Sequence, residues 1–425
     1  MLILSAVVSG LLGVYAVHVW MLTVLALRRK RPPAVSYPSV WPSVSVHIPV
    51  YNEKAVASRL LDSVLAFDYP RDKLKVVVID DSDDGTTELL QSYERRYPGL
   101  VKVVHRDQRA GFKAGALQTA LANSRSELLA FFDADQVPPP DFLRRMVPYL
   151  CCNDAIAFAQ GRPSYLPDAN SWVARALTLG MDSFAFVDQE ARFSADLLTH
   201  FGGGGGVFRR DAILDVGGWT SDTLAEDLDL SIRLRLGGWR YIYDESVRCP
   251  GEIPTSFPIL RRQQFRWASG FAACLKKHLR SLLTTKQMSP VQKGEAITYL
   301  TGYVASPLIA IGVLLAVLYC LVFPIDFILN GFRNNVIAAF TVLMSALIYT
   351  APLTLFAVAV FRSTGGWSTR TKRVVDLIYL GVLSVGIFLT SARALADGLL
   401  SKATYFYRTP KKGEMSSMNV RGAAK

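Results

Sequence analysis

Four long apolar runs punctuate the chain. Residues 2–27, 296–323 and 336–361 contain no Asp, Glu, Lys or Arg, and each exceeds the ~20 residues that cross a ~30 Å hydrocarbon core. These three are expected to span a membrane. The fourth, 377–392, stops at Arg393. About 16 helical residues rise only ~24 Å, so this run either crosses with snorkelling ends or lies at the interface.

Between the first two runs the pattern changes. SVSVHIPV at 43–50 reads as a buried strand, followed by Tyr51, Asn52 and Glu53 at a turn and by a helical pattern over 56–67. KVVVI at 75–79 is a second, β-branched strand, which ends in Asp80, Asp81, Ser82 and the turn Asp84-Gly85 before a helix running to Tyr97. Residues 101–104 form a third strand, and LLAFF at 128–132 a fourth that ends in Asp133, Ala134 and Asp135. Strands alternating with helices predict a parallel sheet covered on both faces. Ligands of such sheets bind beyond the carboxyl ends of the strands, which gathers Tyr51, Glu53, Asp80, Asp81, Asp133 and Asp135 along one edge.

Composition narrows the class. With 51% hydrophobic and 19% charged residues, the chain is neither disordered nor a disulfide scaffold. The net charge of +12 would suit nucleic acid, but there is no helix-turn-helix, zinc or aromatic-basic module, and much of the excess flanks apolar runs. Arg28, Arg29, Lys30 and Arg31 follow the first run directly, as in an anchor rather than a removable signal, and this places the following region in the cytoplasm. The expected organisation is an anchor at 1–31, a cytoplasmic α/β domain with interfacial elements at 32–295, and membrane helices with a basic tail at 296–425. The second and third runs make a hairpin returning to Arg362, Arg370, Lys372 and Arg373. Lys402, Arg408, Lys411 and Lys412 favour a cytoplasmic tail. The five cysteines show no metal-ligand spacing and are read as buried thiols in a reducing compartment. His47, His105 and His200 lack metal-ligand spacing too and are read as structural.

The chemistry sits in a few segments. Asp133 and Asp135 can offer carboxylate oxygens to a hard divalent cation bridging two phosphates, although one acidic pair arises easily by chance. In RAGFKAGALQTAL, residues 109–121, small residues open a helix whose N-terminus suits an anion, with Lys113 adding a full charge; an exposed, solvated lysine is an equal alternative. Gly202 to Gly206 make either a hinge or a close approach of backbone to ligand. Glu226, Asp227 and Asp229 open a helix, where acids are ordinary dipole partners. Asp81 and Asp84, taken singly, read as turn or cap residues.

In order along the chain, HIPVYNE, VVIDDSDDGT, FKAGALQTAL, FFDADQVPPPDF, FGGGGGVFRR, AEDLDLSIRLRLGGW and RRQQFRW together resemble the family-2 glycosyltransferases, in the membrane-integrated, cellulose-synthase-like branch. MDSFAFVDQEAR at 181–192 and GEIPTSFPILRRQQFRW at 251–267 are most similar to mannan-synthase-like and dolichyl-phosphate-dependent mannosyltransferase members, and YFYRTPK at 405–411 resembles that branch's gating element. The resemblance implies an α/β nucleotide-diphospho-sugar transferase domain of the GT-A type, with a mixed, mainly parallel sheet, joined to a small α-helical membrane domain. It further implies that Tyr51, Glu53 and Asp81 hold the base and ribose of a nucleotide sugar, and that Lys113 approaches the diphosphate. Asp133 and Asp135 handle the nucleotide and a Mn or Mg ion, Asp227 is the general base, and Gln263, Arg266 and Trp267 line the donor and acceptor site.

The function expected from this likeness is an inverting, metal-dependent transfer of mannose from GDP-mannose to a lipid-linked acceptor, such as dolichyl phosphate or a dolichyl-linked glycan, at the cytoplasmic face of a cell membrane. Two alternatives stand beside it. One is a processive β-mannan or β-glucan synthase, and the other a nonenzymatic nucleotide-sugar-binding membrane scaffold.

Overall fold

Strand alternation sets the layers. In the computed structural model, which describes residues 2–28, 30–166, 171–322, 336–363 and 367–400, strand β2 (Leu74–Asp80) is buried on both faces. Val76 and Val78 join the main core, where Val56, Leu60, Leu61 and Val64 of helix α2 (Lys54–Leu65) lie. Val77 and Ile79 point the other way, onto Ala116 and Ala120 of α4 (Phe112–Ala122). A continuous apolar strand thus needs a helix on each side.

Beside β2, strands β1 (Val44–Val50), β3 (Val101–His105) and β4 (Leu128–Phe131) complete a parallel half-sheet in the order β3-β2-β1-β4. The expected strands are therefore present, within one residue at most ends. The sheet then continues through β6 (Gly206–Arg209), β5 (Ile156–Tyr165) and β7 (Arg240–Gly251). β6 is antiparallel to both β4 and β5, while β5 and β7 are parallel. The whole is the mixed, mainly parallel sheet of the expected α/β transferase class. Helices α3 (Thr86–Arg96), α5 (Phe142–Cys151), α8 (Arg210–Asp215) and α9 (Glu226–Leu236) flank it.

Between β5 and β6, helix α6 (Trp172–Ser183) continues through a π-helical stretch, Phe184–Gln189, into α7 (Glu190–Ser194). After β7 come the long helix α10 (Phe257–Thr284) and α11 (Pro290–Leu300). α11 starts with a capping box in which Ser289 and Gln292 bond each other's backbone N–H, one of the strongest helix-start devices available to a sequence.

Among the described residues, four helices are long and apolar enough to cross a membrane: α1 (Leu2–Arg28), α12 (Ala305–Val322), α13 (Val336–Arg362) and α14 (Trp367–Leu400). Leu22 and Ala26 of α1 pack with Val187 and Ala191 below the sheet and with Leu355 and Val358 of α13, while Val8 and Leu12 meet Leu315 of α12. Where α1, α7 and α11 meet, the fully buried Arg192 bridges Asp188 and Glu295 at 2.8 and 2.7 Å, and His18 lies 3.0 Å from the same Glu295 carboxylate.

The fourth apolar run corrects the sequence reading. Helix α14 has 34 residues rather than the 16 of the uncharged stretch, or about 51 Å at 1.5 Å per residue. Its acids do not end it because the protein answers them: Asp376 pairs with Arg175 at 2.6 Å, and Asp397 accepts from Ser269 Oγ at 3.1 Å. The opposite face, with Val374, Ile378, Val382, Val385 and Leu389, stays exposed, as a lipid-facing stripe should. The cysteine expectation is also corrected. Cys249 and Cys274 are buried, but Cys151, Cys152 and Cys320 are exposed, the first two at the end of α5 and the last on the apolar outer face of α12. The basic tail, YFYRTPK and Arg29 lie outside the described residues.

Candidate active site

The strand ends deliver the side chains. One cleft of about 970 Å³, counted to its open mouth, is lined by Tyr51, Glu53, Asp81, Lys113, Asp133, Asp135, Asp227, Gln263, Arg266 and Trp267. All ten residues given a role by the resemblance share it, whereas Asp80, gathered with them by the strand-end rule, does not line it: it is buried and accepts from the Ser82 N–H at 3.1 Å and Thr87 Oγ1 at 2.6 Å. Tyr51 and Glu53 follow β1, Asp81 follows β2 and Asp133 follows β4, so the parallel half-sheet supplies one wall. Gln263, Arg266 and Trp267 on α10 supply another.

Charge converges around Gly203. Lys113 Nζ lies 2.7 Å from Asp133 Oδ1 and 3.4 Å from Glu226 Oε1, and donates to the Gly203 carbonyl at 3.0 Å. A Cβ at Gly203 would lie 3.0 Å from Asp227 Oδ2, 3.2 Å from Lys113 Nζ and 3.8 Å from Asp133 Oδ2. The backbone there has φ +80°, a region that glycine enters freely. The glycine run is thus a close approach of backbone to charged side chains. Gln160, buried in β5, fixes it further, donating to the carbonyls of Gly204 and Gly205 at 3.2 and 3.0 Å.

The titration behaviour follows from this crowding. Burial opposes the charge on Lys113, but Asp133, Glu226 and Asp227 outweigh it and hold the ammonium well above its usual range. Burial dominates at Glu226, whose carboxyl is pushed up despite Lys113. At Asp227 burial also pushes upward, but His200, Lys113 and the Leu228 N–H together bring the carboxyl down to about 2. Asp227 is therefore a carboxylate at neutral pH.

Several partners went unread in the sequence. Arg106 clamps Asp81 with two contacts, Nε to Oδ1 at 2.7 Å and Nη2 to Oδ2 at 2.6 Å, and also bonds the carbonyls of Ala110 and Phe112. Asp81 thereby fixes the loop that leads to Lys113. Arg109 stacks its guanidinium 3.6 Å from the centroid of the Tyr51 ring. Its position in the same segment as Lys113 was the available signal. Asp84, by contrast, does what its type suggests and accepts from the Thr86 N–H at 3.1 Å. His47 is buried in β1 and His105 lies 2.8 Å from Asp80, both structural. His200, read with them as structural, places its Nε2 3.4 Å from Asp227 Oδ1.

The donor set suits a hard cation completed by substrate. Among the described residues no group of three or more His, Cys, Asp or Glu could hold a metal ion. Asp133 remains partly exposed in the cleft, while Asp135 is buried with Oδ2 bonded to the Glu252 N–H at 2.7 Å. A hard divalent cation bound by one or two carboxylates takes its remaining ligands from phosphate oxygens and water, so Asp133 and Asp135 fit such an ion when a diphosphate is present.

A strand-end cleft of this build, with an acidic pair, a buried lysine and a carboxylate at a helix start, marks a nucleotide-sugar transferase scaffold. Residues 42–270, over half of the chain, match the family model described as "Glycosyltransferase like family 2", and the chain belongs to that family. It is 36% identical over 295 residues to a probable glucomannan 4-beta-mannosyltransferase 7 of Oryza sativa subsp. japonica, covering 67% of this chain and 50% of that protein. Against glucomannan 4-beta-mannosyltransferase 9 of Arabidopsis thaliana the identity is 32% over 293 residues, with 67% and 54% covered. The chain therefore spans about half the length of these plant relatives. A solved structure, the mannosyltransferase PcManGT from Pyrobaculum calidifontis in complex with GDP-Man and Mn2+, superposes with a TM-score of 0.58 at 21% identity, over 93% of this chain and 99% of that one. At that identity the likeness is one of fold, and it extends through the membrane helices.

Proposed function

We propose that the chain is an inverting mannosyltransferase that takes mannose from GDP-mannose and adds it to a β-linked mannan-type polysaccharide. The observation that carries this reading is the convergence of Lys113, Asp133 and Asp227 on Gly203 within a cleft walled by Gln263, Arg266 and Trp267. The two relatives named for glucomannan 4-beta-mannosyl transfer supply the sugar and the acceptor class. They favour the processive mannan synthase over the dolichyl phosphate acceptor expected at first, for which they offer no support. GDP-mannose is the donor named with the structural neighbour.

In this reading residues 32–295 work at the cytoplasmic face, between the anchor at 1–31 and the helices of 296–425. Tyr51, Glu53 and the Asp81–Arg106 pair shape the nucleoside end, and Lys113 balances charge on the diphosphate. A bound Mn or Mg ion, held by Asp133 and Asp135, would neutralise the growing charge of the leaving group. Asp227 accepts the proton of the acceptor hydroxyl as that oxygen bonds to the anomeric carbon from the face opposite the departing diphosphate.

Purified chain incubated with radiolabelled GDP-mannose, GDP-glucose and UDP-sugars, with and without dolichyl phosphate, tests the proposal. Insoluble mannan from GDP-mannose without added lipid is the expected product. Label that becomes organic-extractable only on adding dolichyl phosphate would return the acceptor to a lipid, and binding without turnover across the panel would leave a scaffold.

A further inference from the structure

The two oxygens of Asp227 have different surroundings. Oδ1 accepts from the Leu228 N–H at 2.8 Å and faces His200 Nε2 at 3.4 Å. Oδ2 is the oxygen turned towards Gly203 and the cleft. One oxygen is held and the other is presented, which is the arrangement a directional base requires.

His200 is built into place. Its carbonyl accepts from Gln189 Nε2 at 3.0 Å, and the next residue, Phe201, donates its N–H to Ser231 Oγ at 2.9 Å. That same Ser231 hydroxyl donates at 2.7 Å to the Asp227 carbonyl, so the segment carrying His200 is tied to the helix carrying the carboxylate. The imidazole is packed edge-on between Phe184 and Phe271, at centroid distances of 6.5 and 5.7 Å. Its Nε2 is buried and makes no hydrogen bond among the described residues. A buried ring nitrogen left without a bond is costly, and here the Asp227 Oδ1 carboxylate oxygen lies 3.4 Å from it. Contacts of this kind are often long before substrate binds and shorten in the reacting complex.

We propose that His200 is a positioning residue for the transfer: its Nε2–H, together with the Leu228 amide, holds Asp227 Oδ1 so that Oδ2 is the oxygen presented to the acceptor hydroxyl. The inference rests on the reading of Asp227 as the base. His200 does not touch the sugar in this role. It acts through the carboxylate, and neither motif spacing nor residue type reveals it.

Four variants of the full chain, assayed with GDP-mannose and checked for folding by thermal unfolding, test the inference. His200→Phe keeps the ring between Phe184 and Phe271 but removes the N–H; kcat is expected to fall about tenfold, with KM for GDP-mannose changed less than about twofold. His200→Gln, which places an amide N–H near the position of Nε2, is expected to recover most of that loss. In an Asp227→Asn background, His200→Phe should add no further loss, because the two residues act as one unit. A fully active His200→Phe, or a His200→Gln no better than His200→Phe, overturns the inference alone if Asp227→Asn is inactive. An Asp227→Asn variant with normal turnover overturns the base reading and this inference with it.

Discussion

The two walls of the cleft are built on different principles. The strand-end wall is held by charge: Asp81 is clamped by Arg106 and Lys113 sits among three carboxylates. The α10 wall is held by packing against membrane helices. Phe257 and Leu260 of α10 join Leu383 and Ile387 of α14 in one apolar cluster, and Gly398 of α14 lies so close to α10 that a Cβ there would approach the Ser269 carbonyl oxygen to 2.3 Å. The geometry of the strand-end wall therefore answers to local electrostatics. The side that carries Gln263, Arg266 and Trp267 answers to where a membrane helix sits.

Substitutions on each wall should separate these dependencies. The largest effect is expected from Gly203→Ala, which puts a methyl group against Asp227 and Lys113 at a positive φ: kcat/KM should fall about 100-fold, as for displacements near 1 Å in other sites, with GDP binding weakened as well. Titration with GDP alongside steady-state rates checks it, and unchanged values would break the claim that charge converges there. On the other wall, Gly398→Ala should cost about 1–3 kcal/mol of stability by overpacking. It should lower mannosyl transfer while leaving GDP affinity intact, and an equal loss of both would erase the distinction between the walls.

Asp229 sharpens the contrast within one helix. Two residues beyond Asp227, it is fully buried. Burial pushes its carboxyl up, but His278, Arg233, Lys277 and Thr220 overcome this and hold it far below its usual range. A depressed carboxyl contributes stability that is present above its unfolded-state value of about 3.9 and is lost as the pH falls below it. Asp229→Asn should therefore destabilise the protein at pH 7 by about 3 kcal/mol, and by progressively less as acid is added below pH 4, in thermal unfolding experiments. Its effect on turnover should track folded fraction only. A variant as stable as wild type at pH 7 would show that Asp229 is not a structural charge.

The contrast also explains what the sequence could and could not disclose. The half-sheet β1–β4 was legible because each strand is a short, mostly apolar run set off by polar turn or loop residues, and the strand-end rule then placed Tyr51, Glu53, Asp81, Asp133 and Asp135 together. β5 to β7 were not read. β5 carries Gly161 and Pro163, β6 is four residues emerging from a glycine run, and their pairing spans long sequence separations that no local pattern records. Asp227 and Asp229 looked alike as acids opening a helix, yet one faces the cleft and the other the core, a distinction set by α10 packing across α9. His200 was set aside because a histidine without metal-ligand spacing is usually structural. Its partner lies 27 positions away, across a fold that the local pattern does not encode. The fourth membrane-length helix was underestimated for a related reason, since Arg175 and Ser269, which answer its acids, come from distant segments.

The most direct test of the proposed chemistry is Asp227→Asn, assayed for single-turnover transfer from GDP-mannose and, on the same preparation, for GDP affinity. If Asp227 takes the acceptor proton while other groups hold the donor, transfer should drop by about 10²–10⁴ with GDP affinity preserved. Transfer at the wild-type rate, or affinity falling in parallel with rate, would contradict it.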